Sequence, residues 1–175
     1  METRTYQAYT WAELSPSAKD RARQAAQEDM GYPWAEDALA SLKALAQHFG
    51  GEMADYSIDW FNSSYSSADF SMPEEWTEKD IRAALKTLGG YNRKTLKGNG
   101  ECVLTGVCCD EDAIDGFRRA FLKDGERDLT RLMQAAFRSW LKAAQEDCAG
   151  IYSDEGMADT SEANGYRYTE AGEID

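Results

Sequence analysis

The chain holds one histidine, His48, in 175 residues. A site needing two imidazole ligands is therefore excluded. Also missing are the G-x-S-x-G elbow, the G-x-x-x-x-G-K-[ST] phosphate loop and the G-x-G-x-x-G turn. The usual signatures of serine hydrolases, P-loop enzymes and dinucleotide enzymes go with them. No apolar run is long enough to cross a bilayer, and METRTYQAYTW has no apolar signal core. A cytoplasmic protein is expected.

Basic residues are scarce as well. Nineteen Lys and Arg stand against 32 Asp and Glu, a formal net charge of −13. Direct binding of duplex DNA or RNA needs clustered Lys and Arg, so this balance argues against it. It argues equally against an anionic membrane surface. A cationic partner is admitted, and so is a plain acidic surface that serves solubility. The four cysteines, Cys102, Cys108, Cys109 and Cys148, lack zinc-site spacing. They read as thiols in a reducing compartment, with no metal and no cofactor implied.

Hydrophobic residues make up 42% of the chain. That suits one α+β domain over residues 1–175 with its own core. The expected architecture is a small antiparallel sheet of three to five strands packed with four to five helices. Alternation from Thr3 to Trp11 predicts a first strand. Ser15-Pro16 then starts a helix with a cap and a first-turn proline, which Gly31 stops. Apolar residues from Ala35 to Phe49 predict a second helix, with His48 in its last turn. The run YSIDWFNSSYSSADF, residues 56–70, predicts a hairpin turning at Asn62-Ser63-Ser64. Thr77 with Asp80 resembles a capping box for a short third helix. Arg93, Lys94 and Lys97 form the one basic patch, which reads as a connection. Asp110 can cap a fourth helix. Leu129, Leu132, Met133, Ala136, Phe137, Trp140, Leu141, Ala144 and Cys148 recur at spacings of three and four, the clearest helical stripe in the chain. Tyr166 to Thr169 alternates as a last strand. An acidic C-terminal helix and strand are thus expected over about residues 128–175.

The charge is uneven. Residues 143–175 hold nine acids and one base, Arg167, for a net of −8. The stripe of the fifth helix extends to Ile151 or Tyr152, which predicts that the helix runs on past residue 150. Gly150 and Gly156 each oppose this by about 1 kcal/mol. In a continuing helix Glu155, Asp159 and Glu162 share one side, about 5–6 Å apart. With Glu146, Asp147 and Asp154 they are the candidate partner-binding residues. The plain alternative is that they are solubilising residues on an exposed helix.

Four segments carry a resemblance: WAELSPSAKDRARQAAQED, LASLKALAQHFGGEMADYSID, ECVLTGVCCDEDAID and SWLKAAQEDCAGIYSDEGMADTSEANGYRYTEAGE. The third matches C-x-x-T-G-x-C-x-D-[DE] through Cys102, Thr105, Gly106, Cys108 and Asp110. Together they resemble small acidic proteins of phages, prophages and related mobile elements commonly labelled "antitoxin of toxin–antitoxin stability system". Residues 60–100 are less alike. The resemblance implies a mobile-element protein in a bacterial host cytoplasm and brings no active site with it.

No catalysis is expected, although Asp59 and Asp69 could face each other across the hairpin as an acid–base pair. The leading expectation is an anti-CRISPR-like inhibitor. It would bind a host defence protein or complex with a basic surface by means of an acidic, nucleic-acid-mimicking face. The alternative is an antitoxin that contacts its toxin through aromatics such as Trp60, Tyr65 or Trp76. A third possibility is an enzyme built on the Cys102–Cys109 loop or the hairpin acids.

Overall fold

The computed structural model describes residues 7–88, 104–105 and 110–174. Most of the first expected strand, the basic patch at Arg93, Lys94 and Lys97, and Cys102, Cys108 and Cys109 lie outside the described residues. Among the described residues the chain is α+β. It has six α-helices, α1 (Pro16–Met30), α2 (Ala35–His48), α3 (Glu78–Thr87), α4 (Asp110–Leu122), α5 (Leu129–Ile151) and α6 (Asp154–Asn164). One antiparallel sheet joins β1 (Glu52–Ser57) to β2 (Ser67–Ser71). The chain divides into two compact units, Met1–Pro33 with Asp147–Asp175, and Trp34–Glu146.

The sheet is smaller than expected and the helices are more numerous. Among the described residues, two of the alternating segments contribute isolated bridges in place of strands. Tyr9 pairs with Tyr168, and Tyr168 pairs with Ile174. Trp11–Glu13 turns into a 3-10 helix because the Glu13 carboxylate takes the Thr10 amide at 2.8 Å and its hydroxyl at 2.7 Å. An extended backbone cannot close that three-residue loop.

In the first unit α1 begins as its sequence predicts. Ser15 accepts from the Ala18 amide at 3.2 Å, Pro16 occupies the first turn, and Gly31 ends the helix at φ 57°. The core comprises Trp11, Leu14, Ala18, Ala22, Tyr32, Cys148, Tyr152, Met157 and Tyr168. Trp11 meets Tyr168 edge-on at 5.9 Å. Two tyrosine hydroxyls are satisfied inside this apolar set, as burial requires. Tyr168 shares a hydrogen bond with Ser161 at 2.6 Å, and Tyr152 donates to the Gly31 carbonyl at 2.5 Å. At Gly172, φ 91°, a Cβ would lie 2.2 Å from the Ala18 carbonyl oxygen, so only glycine lets the C-terminal turn lie against α1.

In the second unit α2, α3, α4 and the Leu129–Glu146 part of α5 surround an aliphatic and aromatic core. Phe49 stacks on Phe117 at 4.4 Å, and Trp60 meets Trp140 edge-on at 5.8 Å. Trp140 donates its indole N–H to the Ala38 carbonyl at 2.9 Å. Every residue of the predicted α5 stripe is buried. The Thr77–Asp80 capping box forms at the start of α3. Asp110, read as a cap, is fully buried and takes the amides of Leu104 and Thr105 at 2.8 and 2.9 Å, with the Thr105 hydroxyl at 3.1 Å. Thr105 in turn meets the Ser41 hydroxyl of α2 at 2.8 Å. The carboxylate thus ties residues 104–105 to the positive end of α4, where a negative charge is favoured.

The hairpin starts earlier than its aromatic run suggests, because Glu52 to Ser57 pairs with Ser67 to Ser71. Asn62 caps the turn by accepting from the Ser64 amide at 3.0 Å. Asp59 does not face Asp69. A register shift between Met53 and Asp55 sets Asp55 opposite Asp69. Asp59 falls beyond the strand, where its carboxylate takes the amides of Phe61 and Asn62 at 2.8 and 3.0 Å.

Candidate functional site

The fifth helix does not run through the acidic segment. It ends at Ile151, and α6 begins at Asp154. Three features make the joint. Tyr152 turns its ring into the core, Ser153 caps α6 by accepting from the Gly156 amide at 3.0 Å, and Gly156 packs on the last carbonyls of α5. A Cβ at Gly156 would lie 2.4 Å from both the Gly150 and the Ile151 oxygen. Gly156 is therefore the residue that lets the chain fold back. At Gly150 a Cβ would meet nothing within 4 Å.

The six candidate acids take different surroundings. Glu146 belongs to the second unit and pairs loosely with Lys142 at 3.5 Å. Asp147 is exposed and accepts from the Tyr32 hydroxyl at 2.9 Å. Asp154 is bound into the structure by Arg23 at 2.5 Å and Lys19 at 3.3 Å. Arg23 also donates to the Tyr152 carbonyl at 2.8 Å, so one guanidinium spans the joint before α6. Asp154 is therefore a clamp that holds α6 in place.

Glu155, Asp159 and Glu162 are exposed, and among the described residues none has an ion pair. Their spacing of four and three puts them on the side of α6 away from the buried Met157 and Ser161. The row survives the break in the helix because all three lie inside α6. Glu155, in the first turn, is favoured by the helix dipole. Glu162, in the last turn, is opposed by it, and no basic residue occupies that turn. Glu162 also borders a cleft of about 360 Å³ with Trp11, Tyr166 and Arg167.

Other candidates are placed by the same geometry. His48 Nε2 lies 3.1 Å from the Ala84 carbonyl and 3.2 Å from the Thr87 hydroxyl, which makes it a link between α2 and α3. Cys148 is buried, and its thiol is pushed up to about 11 by burial and by the neighbouring Asp147. Among the described residues no three His, Cys, Asp or Glu side chains gather as metal ligands. None of the described helices is long and apolar enough to cross a membrane. Of the three aromatics suggested for an apolar contact, Tyr65 alone is exposed, at 71%. Trp60 packs on Trp140, and Trp76 packs on Phe49. The exposed hairpin face bearing Glu52, Asp55 and Asp69 escaped the sequence reading. Its signal was the absence of any Lys or Arg between Lys43 and Lys79. Compared with known proteins, the chain matches no family model, no curated protein and no solved structure.

Proposed function

We propose that this protein is a non-catalytic inhibitor from a phage or related mobile element. In this reading it acts in the host cytoplasm and occupies the basic nucleic-acid site of a host defence complex, in the manner of an anti-CRISPR. The observation that carries the reading is the row Glu155, Asp159 and Glu162 on the outer side of α6. Three like charges at helical spacing destabilise a helix, and the last also opposes the dipole. Structural roles account for Asp154 and Asp147, whereas among the described residues no ion pair or side-chain hydrogen bond holds Asp159 or Glu162. A row of carboxylates on a rigid element can follow a phosphate-binding groove, where the partner's Lys and Arg supply the missing counter-charge.

The test is capture from host lysate by tagged wild-type protein and by E155K/D159K/E162K. The expected result is a nucleic-acid-binding complex that wild type retains, that salt and competing nucleic acid release, and that the triple variant loses. A partner held equally by the variant overturns the role of this row. The antitoxin reading has one observation in its favour, the exposure of Tyr65 on the hairpin turn. It predicts a small toxin whose capture survives high salt and depends on Tyr65.

A further inference from the structure

Between Lys43 and Lys79 the chain holds seven carboxylates and no Lys or Arg. The β1–β2 hairpin displays part of this charge on one face. Ala68 and Phe70 turn inward, so alternation sends Asp69 outward together with its cross-strand neighbour Asp55 and, further along, Glu52. Asp55 and Asp69 stand directly opposite each other, a like-charge pairing that sheets disfavour. Among the described residues no basic side chain pairs with either. At the end of the same hairpin Tyr65 is 71% exposed and Phe61 49% exposed. An acidic strand face on a hairpin whose connection carries exposed aromatic rings combines two features that each cost stability or solubility in a solitary domain.

We propose that the outer face and turn of this hairpin form a docking surface for an arginine-bearing segment of a partner protein. Guanidinium is the one side-chain group that answers both features. Its fork matches carboxylates, and its plane lies on aromatic rings. An ammonium answers the charges and stacks less well. The unit already uses this chemistry internally, since the Arg82 and Arg127 guanidinium groups lie 5.2 and 4.5 Å from the Phe121 ring centre and both pair with the Glu78 carboxylate. A second copy of the chain is a poor occupant, because it would set carboxylate against carboxylate. The hairpin belongs to the Trp34–Glu146 unit and α6 to the other, so this surface does not rest on the role proposed for α6.

The test is an NMR titration of the isotope-labelled full chain with a synthetic (Arg-Gly)4 peptide and with (Lys-Gly)4. The expected shifts concentrate at Asp55, Phe61, Tyr65 and Asp69, and the arginine peptide binds more tightly. F61A/Y65A is expected to weaken it about tenfold. D55S/D69S, which relieves the like-charge pair, is a second variant that should fold and should also lose binding. No shifts with peptide up to about 1 mM, shifts confined to residues 154–162, equal affinity for the two peptides, or undiminished binding by both variants each overturn the proposal. Shifts confined to residues 154–162 would support the α6 row while removing the hairpin.

Discussion

The Tyr152 hydroxyl donates to the carbonyl of Gly31 at 2.5 Å, tying the end of α5 to the C-terminus of α1. The same oxygen lies 3.4 Å from the Ala26 carbonyl in the last turns of α1. Tyr152→Phe keeps the ring and removes the donor. It is expected to cost about 1–2 kcal/mol, read as a lower urea midpoint with an unchanged m-value. An unchanged midpoint would mean that water serves those carbonyls equally well.

Neutralising the α6 row should separate stability from binding. D159N/E162Q removes the repulsion within the row and the unfavourable charge at the helix end, while keeping Glu155 at the end the dipole favours. The gain expected is about 0.5–1 kcal/mol, with loss of partner capture. Such a trade is the mark of residues retained for function. A less stable variant would show that the carboxylates hold the fold.

Gly150 and Gly156, close neighbours in the sequence, should respond in opposite ways. Gly150→Ala places a methyl in open space on α5 and is expected to stabilise by up to about 1 kcal/mol. Gly156→Ala drives a methyl against the Gly150 and Ile151 carbonyl oxygens. It is expected to destabilise by about 1–3 kcal/mol despite the better helix propensity. Equal effects in thermal melts would contradict the tight joint between α5 and α6.

Cys148 should be unreactive in the folded protein. Its thiol is buried and held up to about 11, so the thiolate needed for attack is scarce at pH 8. Iodoacetamide labelling, read at the Cys148 peptide by mass spectrometry, should stay near background until urea unfolds the chain. The thiolate fraction rises with pH, so labelling of folded protein should begin only as pH approaches the raised value. Rapid labelling at pH 8 without urea would place Cys148 outside the core.

Much of the helical framework was legible because its signals are local. Ser15-Pro16 and Gly31 bound α1, the Thr77–Asp80 box starts α3, and the α5 stripe goes into the core intact. Caps and periodicity act through neighbours a turn away, so a linear sequence carries them. The row Glu155, Asp159 and Glu162 was legible for the same reason. Pairing across distance was not. Alternation at Tyr9 and Tyr168 predicted strands, yet among the described residues they make only isolated bridges, because strand length depends on which segment arrives opposite. Arg118 would be assigned to a polar face from its type, yet it is 2% exposed beside Asp115 at 3.6 Å.

By itself the sequence determined an acidic α+β chain with its helix starts, its core stripe and its rows of carboxylates, since these follow from residue type and local spacing. Only the tertiary structure decided which carboxylates already have partners. Arg23 and Lys19 reach Asp154 from α1, more than a hundred residues away in the chain, and convert it from a candidate contact into a clamp. The register of β1 and β2 likewise set Asp55, not Asp59, against Asp69. Charge is a property of the residue, but its availability is a property of what the fold brings beside it.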